Sequence, residues 1–280
     1  MADIKLSAFA DEYASSLDGQ IQGLGELGIK YIEVRSLDGK NISKMSSDEV
    51  KAAKQKFDAA GISVSAIGSP LGKIHLGGDL REHMEKAKQV FETANILDAR
   101  YVRMFSFYAP EDKNIVDMKD QVVDALGEML CIAKQHGVVL CHENEAKIYG
   151  DTPERCRELL DIFGGELKCV FDMGNFVLEG VDPYPAAYEL LREYIAYFHI
   201  KDALAAGAVV PPGCGEAKIK QILDVHRGYA KDDFFVSLEP HLQTFSGLNA
   251  LVGREFDNPY KYPDQETAFC DAVQKFKALV

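Results

Sequence analysis

The 280-residue sequence has no tryptophan, no CxxC pair and no long apolar run. Its six cysteines occur only from residue 131 onward and are widely spaced. That spacing is unlike a zinc ribbon or a disulfide-dense scaffold, so we expect reduced, mostly buried thiols. No apolar run reaches the ~18 residues of a membrane helix, and the segment 1–5 lacks the features of a signal peptide. We therefore expect a cytoplasmic protein with no membrane partner.

Positive charge is also scarce. Lys and Arg number 31 against 44 Asp and Glu, which gives a formal net charge of −13. A net-acidic surface repels phosphate backbones and anionic membranes, so nucleic acid is not an expected partner. Charged residues make up 27% and hydrophobic residues 47% of the chain, a composition typical of a globular protein rather than a disordered one.

Short apolar, β-branched runs alternate with longer amphipathic stretches throughout the chain. Gly61 and Gly137 stand where a helical stretch ends and the next run begins. Thr152-Pro153 and Asp182-Pro183 are typical of helix starts. The helical pattern is clearest over 47–60, 82–97 and 115–136. The eight short runs are 4–9, 31–35, 62–67, 101–105, 138–143, 167–172, 196–201 and 234–239.

Eight strand–helix units predict an α/β protein, a single-domain (β/α)8 TIM barrel over residues 1–280. The alternative is an open doubly wound sheet, which favours a GxGxxG turn after the first strand. The chain has Phe9-Ala10-Asp11-Glu12 there, so the barrel is the better prediction. Residues 240–263 form a longer connection than usual, which we interpret as a lid or as an interface segment of a homo-oligomer.

Four ionisable residues close the last four predicted strands, at the end of a barrel where function resides. They are Glu143, Asp172, His199 and Glu239. Like charges ~4 Å apart repel by about 1 kcal/mol in water and ~4 kcal/mol at an effective dielectric near 20, so a divalent cation is expected among them. Three carboxylates and an imidazole suit Mn²⁺ best, with Zn²⁺, Co²⁺ or Mg²⁺ as alternatives. A single such residue at a strand end is more often a salt-bridge partner or a helix cap, and only the series of four favours a metal.

Together with Glu33 and Arg35 in "YIEVR", the turn "PGCGE" and the motifs "LCHEN", "FDMGN", "FHIKDA" and "SLEP", this series resembles the xylose isomerase-like TIM-barrel superfamily. The resemblance covers nearly the whole chain and is strongest to the sugar (phosphate) isomerase/epimerase branch, with its ketose 3-epimerases and inositol-catabolism isomerases. It implies that the four strand-end residues bind one divalent metal, usually Mn²⁺, and that Glu143 and Glu239 are catalytic, exchanging protons with a small sugar or sugar phosphate.

The chain differs from the ketose 3-epimerase pattern at two positions. Asn175 stands where those enzymes carry a histidine, and Tyr149 stands where they carry a second glutamate. Neither position belongs to the implied metal set. The resemblance therefore predicts the reaction class rather than the sugar, and Glu145 or Tyr149 marks a possible different subfamily.

The chemistry of that class explains the residue types. Isomerising or epimerising a ketose requires removal of a proton next to a carbonyl, and a cation that holds the carbonyl oxygen stabilises the negative charge that develops. If two carboxylates act on opposite faces, the stereocentre inverts; if one shuttles the proton between carbons, isomerisation results. We favour the two-base arrangement, with Glu143 and Glu239 as the bases.

Further residues are candidate substrate contacts. Alternatives remain for several of them: Glu33 and Arg35 also suit an internal ion pair, and Glu216 suits a cap for a helix beginning near Ala217. His142 is expected to be structural, and His241 is equally suited to lining the pocket or to no role. The substrate-binding candidates are Glu33, Arg35, Lys73, Arg103, Glu145, Asn175, Lys201 and Glu216.

Three other functions fit the same fold. A dehydratase or lyase acting on an inosose-like ring would use the same ion and bases. A DNA-repair activity of the endonuclease IV type requires three zinc ions and more histidines, whereas this chain has seven His and a net charge of −13. A non-catalytic sugar-binding barrel would not need the pair of glutamates.

Overall fold

The computed structural model describes residues 1–242 and 258–280 and contains a closed barrel of eight parallel strands. Each strand pairs with the next one along the chain, and β1 also pairs with β8. The predicted single-domain (β/α)8 barrel is confirmed, as are all eight predicted strands. These are β1 Ile4–Ala8, β2 Tyr31–Val34, β3 Ser63–Ile67, β4 Tyr101–Met104, β5 Val139–Glu143, β6 Lys168–Asp172, β7 Ile195–Ile200 and β8 Phe234–Leu238.

Helices surround the barrel and turn their apolar sides toward the strands. The predicted start signals are present: Ser46 and Glu49 form a reciprocal capping box, and the Thr152 side chain accepts a hydrogen bond from the Arg155 backbone N–H. Gly137 ends its helix in the left-handed conformation. The described helices are α1 Leu17–Glu26, α2 Ser47–Ala59, α3 Leu80–Ile96, α4 Lys119–His136, α5 Pro153–Ile162, α6 Met173–Leu178, α7 Tyr188–Leu191, α8 Ile219–Tyr229 and α9 Gln265–Leu279.

One predicted helix start is present but irregular: Asp182 caps a short π-helical segment, Pro183–Ala187. The Asp182 side chain does accept a hydrogen bond from the Tyr184 N–H, but Tyr184 has extended backbone angles (φ −144°, ψ 134°) and regular helix begins only at α7. Tyr184 precedes Pro185, and a residue before proline is disfavoured in the helical region. The turn after Pro183 is therefore irregular.

The core has two layers. Most buried apolar side chains lie between the strands and the helices, while a small cluster of Ala66, Cys141, Val170 and Tyr197 is separate from them. Cys141, Val170 and Tyr197 each stand two residues before a site candidate, so they share its side of the strand. This cluster forms the floor of the barrel interior. It supports the strand-end residues above it.

All six cysteines are unpaired, as expected, but only three of them are buried: Cys141, Cys156 and Cys169. Within the described ranges, no helix is both long enough and apolar enough to cross a bilayer. The predicted lid or interface segment falls largely on residues 243–257, which lie outside the described residues, so it stays a prediction.

A buried carboxylate organises the loop after β7. The two oxygens of Asp202 accept hydrogen bonds from the backbone N–H groups of Ala203, Gly213, Gly215 and Ala217. A Cβ on Gly215 would lie 2.3 Å from the Asp202 carboxylate, so glycine is required at this position. The "PGCGE" turn is thus built around Asp202.

The loop after β3 supplies a test of packing at the barrel mouth. Gly72 has φ +85°, and a Cβ there would lie 1.9 Å from the Phe105 carbonyl oxygen. Gly72→Ala should lower the free energy of unfolding by about 3 kcal/mol because strain and overlap with backbone add together. The matched control is Gly25→Ala in α1, where nothing lies within 4 Å and alanine should stabilise by about 1 kcal/mol. Denaturant titration checks both, and equal effects would contradict the packing described.

Candidate metal centre

The four residues singled out at the strand ends lie together at one end of the barrel. Glu143, Asp172, His199 and Glu239 are all buried, and each offers a ligand atom within 4.8 Å of the others. Asp172 and His199 are register partners on β6 and β7, and the Glu239 backbone N–H donates to Ile200 at the end of β7. The predicted convergence is confirmed. It follows from parallel strands ending at the same rim.

Hydrogen bonds fix the orientation of each side chain. His199 Nδ1 lies 2.9 Å from Glu143 Oε1 and 3.5 Å from Glu239 Oε2. Asp172 caps α6, because its Oδ1 accepts the Asn175 backbone N–H. The side chain of Asn144 forms two hydrogen bonds with the backbone of Asp172, each 2.9 Å long. The cluster is therefore held in place from both the strand and the following helix.

Three side-chain cations reach into the same cluster, which the charge argument from sequence did not anticipate. Lys201 Nζ lies 2.9 Å from Asp172 Oδ2 and 3.1 Å from Glu239 Oε2. Arg103 Nη1 lies 3.2 Å from Glu143 Oε2, and Arg35 Nη1 lies 3.0 Å from Glu239 Oε1. These cations neutralise part of the repulsion that sequence reasoning had assigned to a metal alone.

The ionisation states follow from this balance. Burial alone raises the pKa of Glu143, but His199 and Arg103 outweigh it and hold that pKa below its usual value. Burial likewise opposes ionisation of Glu239, yet Lys201 and the two nearby histidines keep its pKa well below normal. For Asp172, burial outweighs Lys201 and raises the pKa. Glu143 and Glu239 are therefore carboxylates at neutral pH, as metal ligation or proton abstraction requires.

The donor set fits a divalent cation. It offers carboxylate oxygens and an imidazole nitrogen within one small volume, the ligands that Mn²⁺, Mg²⁺ and Zn²⁺ accept. Glu143 Oε2 is buried and makes no hydrogen bond among the described residues, although Arg103 is near. A buried carboxylate oxygen that accepts no hydrogen bond is expected where a ligand binds.

A second group, Glu12, Glu239 and His241, has a comparable spacing. Arg35 already donates hydrogen bonds to both Glu12 and Glu239, so counter-charge is present there. His241 lies with Nδ1 3.2 Å from Glu12 Oε1, which places it beside the cluster at the barrel mouth. The four-residue set is the better metal candidate.

The suggested ion pair between Glu33 and Arg35 is absent from the described residues. Arg35 pairs instead with Asp11 through two hydrogen bonds of 2.8 and 3.0 Å, and also with Glu12. Glu33 lies deeper, where its oxygens contact Tyr197 and His199. Asp11 and Glu12 lie in the short 3-10 turn that follows β1, so a search of the loops after the early strands could have found them.

The other substrate-contact candidates divide between the cluster and the rim. Asn175 Oδ1 accepts from Lys201, and Asn175 Nδ2 donates to the Asn144 carbonyl oxygen. Arg103 stacks between the rings of Phe9 and Phe105, with Nη2 on the Gly68 carbonyl.

At the rim, Lys73 Nζ lies 2.8 Å from Glu145 Oε2, so these two candidates pair with each other. His142 bonds to Ser106, and its buried imidazole has a pKa lowered to about 4, which agrees with the expected structural role.

Glu216 does not cap α8. The residue at the N-cap is Lys218, which has a left-handed backbone conformation and forms no side-chain capping hydrogen bond. Glu216 Oε1 instead accepts the Ala205 backbone N–H. Glu216 also lines a surface cleft of about 730 Å³ whose lining includes none of the four cluster residues. The helix-cap alternative for Glu216 is therefore wrong, and its role as a substrate contact stays a prediction.

A family model described as the xylose isomerase-like TIM barrel matches residues 22–252. The chain belongs to this family. The suspected resemblance is thereby confirmed, and the buried Glu, Asp and His residues form a candidate divalent-metal site within the family's barrel. No curated protein sequence matches the chain.

Solved structures share the fold at low sequence identity. The IOLI protein, solved with a bound zinc atom, has a TM-score of 0.72 at 19% identity, with 99% of this chain and 98% of that chain covered. L-ribulose 3-epimerase has a TM-score of 0.71 at 19% identity, covering 100% and 94%. The probable 3-DHS dehydratase AsbF of Bacillus anthracis has a TM-score of 0.71 at 20% identity, covering 91% and 100%. At these identities the likeness shows the fold alone.

Metal binding at the cluster is directly testable. After treatment with a chelator, the protein should gain thermal stability on addition of Mn²⁺, by about 2.7 kcal/mol at a hundredfold excess over Kd. His199→Gln and Asp172→Asn should each abolish most of that gain because they remove a ligand. Asp182→Asn, which alters an exposed ion pair with Lys218, is the control and should respond like the wild type. A wild-type melting temperature that does not change on addition of Mn²⁺ would contradict the assignment.

Proposed function

We propose that the protein is a divalent-metal-dependent sugar isomerase or epimerase that acts on a ketose or a related polyol ketone. The observation that carries the proposal is the pair of buried glutamates, Glu143 and Glu239, which both approach His199 Nδ1 within a set of metal-ligating groups. Two carboxylates held apart beside one imidazole suit proton removal and delivery next to a carbonyl.

The four residues Glu143, Asp172, His199 and Glu239 would hold the ion, for which Mn²⁺ is proposed because oxygen donors predominate. When bound, the ion supplies electrostatic stabilisation of the oxygen on which negative charge develops. Lys201 and Arg103 supply further positive charge within the same cluster.

The two glutamates are suited to act as bases because they are carboxylates at neutral pH. Glu143 is oriented by His199 and Arg103, and Glu239 by Lys201 and Arg35. They extend from β5 and from the end of β8, which lie on different sides of the barrel rim. In the proposed mechanism, one removes the proton from carbon and the other returns a proton from the opposite face.

The proposed substrate contacts are Arg103, Asn175 and Lys201, whose polar atoms lie within the cluster. Arg103 Nε is buried and makes no hydrogen bond among the described residues, so it has a donor to offer to a substrate hydroxyl. Lys73 and Glu145, paired at the rim, are proposed to contact the part of the sugar farthest from the glutamates.

Solvent-isotope exchange tests this mechanism. With Mn²⁺ and a panel of ketoses in deuterated water, the wild type should introduce deuterium at carbon next to the carbonyl. Glu143→Gln and Glu239→Gln should each lower turnover by about 10²–10⁴-fold. Glu189→Gln on α7, which alters an exposed ion pair with Arg192, is the control and should retain activity. Full turnover by either variant at the site would remove the proposed role of that glutamate.

The same assay separates the alternative dehydratase activity. Loss of water from the substrate would give a conjugated enone that absorbs in the ultraviolet, whereas isomerisation or epimerisation would not. A non-catalytic sugar-binding barrel would bind a ketose without any deuterium incorporation.

A further inference from the structure

Glu33 is a fully buried acid that the proposed mechanism does not use. Its side chain has no solvent exposure, and its Oε2 lies 3.1 Å from His199 Nε2. The other imidazole nitrogen, Nδ1, lies 2.9 Å from Glu143 Oε1 on the side of the ligand cluster. His199 therefore separates Glu33 from the cluster, and Glu33 does not belong to the group of converging ligand atoms.

The second oxygen of Glu33 is also engaged. Tyr197 donates its hydroxyl to Glu33 Oε1 at 2.9 Å. Tyr197 belongs to the floor of the barrel interior, with Ala66, Cys141 and Val170, and is itself buried. Burial and the adjacent Glu33 carboxylate raise the pKa of Tyr197 well above its ordinary value, so the phenol keeps its proton. Both Glu33 oxygens thus accept hydrogen bonds from fixed donors.

The plane of the His199 ring is fixed by its neighbours. Phe9 packs edge-on against the imidazole with ring centroids 5.1 Å apart, and Tyr197 packs at 5.6 Å. Glycine at position 68 leaves the space that the Phe9 ring occupies, because a Cβ there would lie 2.4 Å from that ring. A half-turn of the imidazole would keep its plane but would move both nitrogens away from Glu33 and Glu143. The Glu33 carboxylate therefore favours the ring orientation in which Nε2 faces Glu33 and Nδ1 faces the cluster.

We infer that Glu33 is a positioning residue that accepts the N–H at His199 Nε2 and thereby keeps Nδ1 facing the metal-ligating cluster, where the Nδ1 proton would be displaced when the ion binds. The inference rests on the proposed metal site. An imidazole that donates its second N–H to a carboxylate is both oriented and made a stronger donor to a metal. The Tyr197–Glu33–His199 chain thus extends from the barrel floor to the ligand cluster.

Direct contact of Glu33 with a sugar is less consistent with the geometry. The side chain is inaccessible to solvent, and a substrate hydroxyl would have to displace either Tyr197 or His199. Positioning also agrees with the surroundings of Glu33, because donors engage both of its oxygens and the guanidinium of Arg103 lies nearby.

Metal affinity tests this inference independently of catalysis. The Kd for Mn²⁺ is measured by electron paramagnetic resonance of the free ion, with the wild type, Glu33→Ala, Glu33→Gln and Tyr197→Phe. Glu33→Ala should weaken binding by about 10–100-fold, the usual effect of removing the partner of a metal-ligating histidine. Glu33→Gln should fall between Glu33→Ala and the wild type, since its amide oxygen still accepts the N–H without the charge. Tyr197→Phe should weaken binding more modestly, because Glu33 remains but loses one donor.

Glu158→Ala is the matched control. Glu158 also accepts a tyrosine hydroxyl, that of Tyr149, but contacts none of the cluster residues. It should therefore reduce stability without changing the Kd for Mn²⁺. If Glu33→Ala does not fold, the graded losses expected for Glu33→Gln and Tyr197→Phe carry the test.

Wild-type affinity in the folded Glu33 variants would overturn the inference while leaving the metal site intact. Failure of the wild type to bind Mn²⁺ would overturn both this inference and the proposed function, so the two failures are distinguishable.

Discussion

The repulsion among acids buried at one end of the barrel is the constraint on which the rest of the site depends. Glu33, Glu143, Asp172 and Glu239 are each less than 4% exposed, so water cannot screen them from one another. The protein opposes this repulsion with the side chains of Lys201, Arg103, Arg35 and His199. The proposed divalent ion would supply further positive charge. Positive charge is thus built into the cluster before any ligand binds, which keeps Glu143 and Glu239 ionised and in position.

The barrel supplies the rigidity that such a cluster needs. Parallel strands bring their carboxyl ends to one rim, and the hydrogen-bonded register fixes Asp172 opposite His199. Below them, the floor residue Tyr197 binds Glu33, and Glu33 binds His199. Tyr197 and His199, which stand two residues apart on β7, therefore both form hydrogen bonds with Glu33. The position of His199 at the barrel mouth thus depends on Tyr197 in the packed interior, through Glu33.

Much of this arrangement could be predicted from sequence. The eight apolar runs and the residues that end them determine which side chains meet, because strand direction and alternation are set by local pattern. The pairings within the cluster could not be predicted. Arg35 binds Asp11 and Glu239 rather than Glu33, a choice that depends on distances between strands far apart in sequence. The extended backbone at Tyr184 does not follow from the Asp182-Pro183 pattern, because it depends on Pro185, which disfavours the helical region for the residue before it.

Anomalous diffraction from crystals soaked in Mn²⁺ tests the central claim most directly, because it locates the ion without reference to activity. The account predicts one strong peak bonded by Glu143, Asp172, His199 and Glu239 at about 2.0–2.3 Å. Absence of a peak there, or a peak at Glu12 and His241 instead, would contradict it.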